Sequence, residues 1–334
     1  MDWHSFAPFM HAWLYGKGGY YRRAHIGTKG DFYTSVGASG FLGGTLAFYL
    51  LHLLESGELA LPLSVVEIGA GSGRLMADLV RFLKDLSVGV LEGVRFVCVE
   101  PLNELATLQK ARLGKEGINL EHVKNIGGLK GLQNAFLYCN ELWDSFACEL
   151  VQGGQILSVQ NFKPVWRNLE ESELAKLENF YPAGGCVPFA WEAFVAHLCQ
   201  SLKGASWRLV SFDYGQYGFE SNASLSLRGY RAHKVLGLEE ILSDLKGLYQ
   251  QIDLTYDIDF ALLEHLFKAQ GAHSVFYGTQ CATLLEMGFA TLLDLFAESV
   301  PYPIYQKEAF KAHALISPEG LGERFKGLIV GRGA

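Results

Sequence analysis

The stretch Val65-Val66-Glu67-Ile68-Gly69-Ala70-Gly71-Ser72-Gly73 decides how the rest of this chain is read. Val65 to Ile68 reads as the end of a buried strand. Three glycines at alternate positions follow. After them, Leu75, Met76, Leu79, Val80, Leu83 and Leu86 recur at helical spacing across Arg74–Leu86. Strand, glycine turn and helix in that order leave bare backbone that a ligand can approach closely, because no Cβ stands in the way. The spacing limits the ligand. A dinucleotide fingerprint, G-x-G-x-x-G, needs its third glycine at position 74, which is Arg74.

Outward from this turn the pattern repeats. Strands are expected at Leu63–Ile68, Arg95–Glu100, Leu120–Lys124 and Ala135–Asn140, with helices at Arg74–Leu86 and Leu102–Leu113. That rhythm implies right-handed βαβ units and a parallel sheet. Before it, residues 1–15 read as a helix with Phe6, Phe9, Met10, Trp13 and Leu14 on one face. A glycine- and tyrosine-rich loop over 16–23 and an apolar helix at about 38–55 follow. After residue 145 the rhythm changes. Glu149–Val151 and Gln155–Val159 flank Gly153-Gly154 as a β-hairpin. Residues 171–180, 191–203 and 259–270 read as helices, and two or three more fill 279–316. Trp207–Asp213, His273–Tyr277 and Phe325–Val330 read as strands, and Leu227–Val235 as extended chain.

The expected organisation is α/β: an N-terminal helical cap (1–60), a cofactor-binding core (61–145), an inserted hairpin and helices (146–205), and the remaining core sheet with C-terminal helices (206–334). No linker separates these parts, so one elaborated domain is expected rather than two independent ones.

Composition narrows the function. An apolar fraction of 49 % and a charged fraction of 19 % fit a globular protein with a sizeable core. The formal net charge of −7 and the lack of a basic stripe argue against nucleic acid. The six cysteines form no C-x-x-C pair, so no metal is expected and the thiols read as small core residues. Met1–Ser5 has neither basic region nor apolar core, and Phe41–Leu54 is short for a span and holds Gly43, Gly44 and His52. A cytoplasmic protein without an integral membrane segment is expected. The sequence leaves the oligomeric state, a homodimer included, open.

The G-x-G-x-G form with Glu67 two residues ahead resembles motif I of the class I S-adenosylmethionine-dependent methyltransferases, whose sheet is Rossmann-like. There the loop (here Gly69, Gly71 and Gly73) wraps the amino-acid end of the cofactor. Glu67 places an acid near the cofactor's sulfonium and ammonium groups. Glu100 closes the next strand 33 residues after Glu67, where a carboxylate can accept both ribose hydroxyls. The fourth strand ends in Asn140-Glu141-Leu142-Trp143-Asp144, at the sheet edge that addresses substrates. If the acceptor is a guanidinium, Glu141 and Asp144 can bind its planar fork and orient one nitrogen toward the methyl group. The alternative role for both acids is capping a following helix. Asp213, at the end of Trp207–Asp213, suits substrate contact or turn capping equally. His233 lies in a polar extended cluster, where a histidine is more often a surface residue than a base.

Taken together the residues resemble the MidA-type family of class I methyltransferases, which includes the mitochondrial arginine methyltransferase needed for respiratory complex I assembly. The resemblance rests on Leu14-Tyr15, Gly19-Tyr20-Tyr21, Gly27, Gly30-Asp31-Phe32-Tyr33-Thr34-Ser35 and Glu67 through Gly73. It continues through Glu100-Pro101, Asn140-Glu141 with Asp144, Asp213-Tyr214-Gly215, Leu227-Arg228-Gly229-Tyr230 with His233, Asp253-Leu254-Thr255, Asp259-Phe260 and Thr279-Gln280. It implies an inserted substrate module and S-adenosyl-L-methionine as cofactor, bound by Asp31 and Thr34 as well as the residues above. It also implies a protein-arginine acceptor, a complex I subunit in the known member. Asn140, Glu141 and Asp144 would form the catalytic set, and Tyr21, Asp213 and His233 would contact the acceptor. Two family glutamates are Gly37 and Gly44 here, and a family proline is Ala147. A non-catalytic assembly factor that keeps the fold is therefore the first alternative, and a nucleotide-dependent oxidoreductase the second.

Overall fold

Apolar strands buried on both faces set the centre of the fold. The computed structural model describes residues 2–23, 35–180, 184–218, 225–231 and 234–333. These fall into two compact units. The larger comprises Tyr33–Leu142, Val195–Asp213 and Phe267–Ala334; the other comprises Met1–Phe32, Trp143–Phe194 and Tyr214–Leu266. Neither is continuous in sequence, and the chain passes between them five times.

In the larger unit, β1 (Leu63–Ile68), β2 (Val94–Val99), β3 (Glu121–Val123), β4 (Asn134–Asn140), β5 (Ser206–Gln216), β6 (His273–Thr279) and β7 (Phe325–Arg332) line up as β6-β7-β5-β4-β1-β2-β3. The first five run parallel, with Glu67 of β1 opposite Cys98 of β2 and Tyr138 of β4. β7 pairs antiparallel with β6 at the other edge. Strand order reverses around β1 and β4, and such a switch point opens a crevice at the strands' carboxyl ends. Every residue of β1 is buried, as a strand covered by helices on both faces requires.

Three helices occupy expected segments: α1 (Phe41–Glu55), α2 (Arg74–Ser87) and α3 (Asn103–Lys115). α2 buries Leu75, Met76, Leu79, Val80 and Leu83. α1 packs on α2 at backbone distance. A Cβ on Gly43 would lie 2.7 Å from the Leu79 amide nitrogen, and one on Gly44 would lie 2.8 Å from the Phe82 ring. Helical glycine is unfavourable by about 1 kcal/mol relative to alanine, so the two glycines are there for the contact. Three C-terminal helices, Gln280–Glu286, Phe289–Ser299 and Tyr302–Ile316, complete this unit's layers. Among the described residues no single helix is long and apolar enough to cross a membrane.

The second unit is built on an antiparallel sheet of Asp2–Trp3, Glu149–Gln152, Gln155–Gln160, Lys163–Asn168 and Gly185–Val187. The hairpin across Gly153-Gly154 is present, and its second strand pairs with Lys163–Asn168 as well. That third strand has no sequence signal, because its turn is Asn161-Phe162, both at positive φ (50° and 59°). A bulky residue is strained there, and the Phe162 ring offsets the strain by packing on Phe9 and Tyr249. Helix Phe6–Tyr15 buries Phe6, Phe9, Met10, Trp13 and Leu14, and Trp13 donates to the Ile252 carbonyl at 2.8 Å. Tyr20–Arg23 is a short helix rather than the expected loop. A small sheet of Arg228–Arg231, Lys234–Leu236 and Asp253–Thr255 lies in the same unit. Five of the six cysteines are buried and the sixth is partly so.

Replacing Gly43 with alanine should destabilise the protein by about 1–3 kcal/mol despite the better helix propensity, because overpacking against fixed backbone outweighs it. Urea denaturation monitored by circular dichroism checks this. An alanine variant as stable as the wild type would show that the two helices can separate at no cost.

Candidate active site

The turn after β1 is shaped by its glycines. Gly69, Gly71 and Gly73 sit at φ 73°, 50° and 71°, where a side chain is strained by about 1–2 kcal/mol per residue. Space is limiting as well. A Cβ on Gly73 would stand 3.2 Å from the Gln109 Cα, and one on Gly69 the same distance from Leu142 Cδ1. Gly73 also begins α2 without a side chain to cap it.

Glu67 lies near the end of the preceding strand. Its carboxyl is 4 % exposed and accepts from the Tyr138 hydroxyl at 3.3 Å, while the Met76 backbone amide of α2 favours its ionised form. Burial pushes this carboxyl up to about 8, against the hydrogen bonds from Tyr138 and Met76, which lower it. The acid read as facing the cofactor's positive charge is therefore engaged with α2 and β4.

Glu100 follows β2, also buried. Its Oε1 accepts from the Leu102 amide at 3.0 Å and its Oε2 from Gln109 Nε2 at 3.0 Å. Burial raises its carboxyl, and these two bonds pull it back down. The same Gln109 nitrogen donates to the Gly71 carbonyl at 2.9 Å, and the Gln109 oxygen meets His122 Nε2 at 2.8 Å. Gln109 and His122 carry no motif, and no sequence signal singles them out.

At the last residue of β4, Asn140 donates to Glu141 Oε1 at 2.8 Å. Glu141 has φ 53°, and its amide donates to the Phe212 carbonyl of β5 at 2.9 Å. Asp213, which continues β5, is fully buried. The larger unit thus holds Glu67, Gly69, Gly71, Gly73, Glu100, Asn140, Glu141 and Asp213 at or next to the carboxyl ends of four parallel strands.

Asp144 and Tyr21 belong to the second unit. Asp144 is buried, and its Oδ2 accepts from Thr255 Oγ1 at 2.7 Å. Burial raises the Asp144 carboxyl, while Thr255 and the Arg228 guanidinium lower it. Burial also pushes the Tyr21 phenol well above its ordinary value; the Asp253, Tyr15 and Asp144 charges add to this, as does its hydrogen bond to Asp253. Arg228 pairs with Asp257 at 2.7 Å and lies over the Tyr214 ring. In the sequence Asp253 and Thr255 stand out only as family motif residues. Asp31, Thr34 and His233 lie outside the described residues.

With this geometry in view, residues 45–278 match a family model described as "Putative S-adenosyl-L-methionine-dependent methyltransferase". The chain belongs to that family. Its cofactor is S-adenosyl-L-methionine, and the buried acid after β2 beside a bare glycine turn fits an adenosyl ligand. The chain is similar to the human mitochondrial protein arginine methyltransferase NDUFAF7, 25 % identical over 92 % of this chain and 75 % of that one. The Xenopus tropicalis counterpart is 27 % identical over 93 % and 77 %. A Burkholderia thailandensis crystal structure bound to S-adenosylhomocysteine superposes with a TM-score of 0.78 at 22 % identity, covering 99 % of this chain and 88 % of that one. That likeness shows the same fold. The spacing argument against a dinucleotide oxidoreductase agrees with the family.

The Glu67 carboxyl makes stability depend on pH. The unfolded chain releases this proton near the ordinary 4.5, whereas the folded protein keeps it to about 8. Stability contributed by the neutral acid is complete below pH ~4.5 and falls as pH rises toward ~8, by up to about 1.4 kcal/mol per unit. Glu67→Gln should match the wild type near pH 5 and exceed it in urea denaturation at pH 8. A difference that stays constant from pH 5 to 8 would show that Glu67 is ionised in the folded protein.

Proposed function

We propose that this methyltransferase methylates an arginine side chain on a protein acceptor. The names of the NDUFAF7 relatives support an arginine acceptor, and the resemblance described above extends this to a subunit of respiratory complex I. The observation that carries the reading is Glu141. A glutamate held at φ 53° at the carboxyl end of β4, with Asn140 on its Oε1, is a strained acid at a substrate-facing edge. Strain of this kind is kept where the surroundings enforce it and function uses it.

In this reading residues 61–145 carry the cofactor, and residues 146–205 belong to the acceptor module. Gly69, Gly71 and Gly73 receive the amino-acid end, Glu100 accepts the ribose hydroxyls, and Glu67 holds the turn in shape from below. Asp31 and Thr34 complete this set. Bound S-adenosyl-L-methionine supplies an electrophilic methyl group on a sulfonium. Glu141 binds the acceptor guanidinium, orients one nitrogen for in-line attack and stabilises the charge as that nitrogen's proton leaves. Asn140 fixes the Glu141 carboxylate. Asp144 is the second acid of the set, and Tyr21, Asp213 and His233 contact the acceptor.

One observation favours a non-catalytic assembly factor as a second reading. Gly44 stands where the resemblance leads to glutamate, and the Phe82 ring fills the space a side chain there would need.

The deciding experiment incubates the purified protein and methyl-labelled S-adenosyl-L-methionine with lysate from a strain lacking the gene. Protein-bound methylarginine is then quantified by mass spectrometry. Glu141→Gln should lower kcat by about 100-fold or more while S-adenosylhomocysteine affinity stays within about 3-fold, as expected when a transition-state contact alone is lost. Cofactor binding without any methylarginine would select the assembly-factor reading.

A further inference from the structure

The cofactor-side geometry depends on a side chain that touches no ligand in the reading above. Gln109 is completely buried in α3, a helix in which only Gln109 and Leu113 are buried. An uncompensated buried amide is unfavourable by about 1–3 kcal/mol, so its partners matter. One terminal atom of this amide faces two acceptors, the Gly71 carbonyl at 2.9 Å and Glu100 Oε2 at 3.0 Å. Only NH₂ can donate to both, which settles which terminus is nitrogen. The other terminus is therefore the oxygen, and it must accept from His122 Nε2 at 2.8 Å. His122 is then the Nε2–H tautomer. Its Nδ1 is buried without a hydrogen-bond partner. Burial and the Lys110 charge both lower its pKa, which keeps the ring neutral.

The consequence is directional. The Leu102 amide occupies one lone-pair direction on Glu100 Oε1, and the Gln109 amide occupies one on Oε2. Each oxygen keeps one further acceptor direction, the number a vicinal diol needs. The same amide ties Glu100 to the carbonyl at the middle of the glycine turn. Hydrogen bonds that fix a ligand-binding group from behind govern its aim and affinity.

We propose that Gln109, locked by the Nε2–H of His122, is the positioning residue that sets the spacing between the glycine turn and the ribose-binding carboxylate, and so determines selectivity for a ligand with both ribose hydroxyls. This rests on the assignment of Glu100 to the ribose.

Calorimetry with S-adenosylhomocysteine and its analogue lacking both ribose hydroxyls tests the inference. The wild type should prefer the natural compound by about 10-fold or more, the usual worth of one or two hydrogen bonds to a charged group. Gln109→Leu should lose most of that preference, because loosening the glycine turn weakens both ligands alike whereas losing the aim of Glu100 weakens only the one with the diol. A merely structural role would weaken both ligands equally, and an unchanged ratio in Gln109→Leu overturns the proposal. If that variant does not fold, His122→Phe frees the amide to rotate and should cut the same ratio by about 3-fold or more; an unchanged ratio there overturns it equally. A wild type that binds the natural compound without preferring it over the analogue removes Glu100 from the ribose. A wild type that binds neither compound removes the cofactor site itself.

Discussion

The structure depends on how closely backbone can approach backbone at the carboxyl end of β1. A Cβ on Gly73 would press to 3.2 Å from the Gln109 Cα, and the turn that contains Gly73 uses left-handed torsions at three residues. A side chain at Gly73 would press α3 back by a few tenths of an ångström and strain the link from Gly71 through Gln109 to Glu100. Sequence, local geometry and ligand chemistry meet at this contact.

Buried carboxyls recur, and four of them have a defined partner. Glu67 takes the Tyr138 hydroxyl, Glu100 is held by Leu102 and Gln109, and Asp144 takes a hydroxyl from Thr255. Glu149 receives the Ser5 hydroxyl and the Ala7 amide, anchoring the start of the first helix. Desolvation raises all four. A buried acid with hydrogen-bond donors around it is tolerable, whereas a bare one is not. These residues hold elements at fixed distances rather than simply adding charge.

Much of the larger unit was legible in the sequence, for a physical reason. Its strands are buried on both faces and read as apolar runs, and α2 carries a clean helical stripe. The glycine turn and the strand-end acids stand out because ligand approach needs those residue types there. The second unit was less legible. Its hairpin announced itself through Gly153-Gly154, yet the next turn uses Asn161-Phe162, whose bulky member hides the signal. Helices Leu238–Ser243 and Leu245–Leu248 are too short for periodicity to register. Gln109 was invisible because a glutamine on a mostly polar helix reads as solvent-facing, and only the packing of α3 on the turn reveals it as core. The sequence segment Asn140–Asp144 also looked like a single feature, although the chain leaves one unit for the other between Leu142 and Trp143.

That interleaving has a consequence for biosynthesis. The first helix shelters its Trp13 through the carbonyl of Ile252, 239 residues later. At about 5–20 residues per second, a ribosome needs roughly 10–50 s to cover that distance. Over that interval a strongly apolar N-terminal segment emerges without its native cover. The first helix therefore reaches its final packing only after most of the chain has been made.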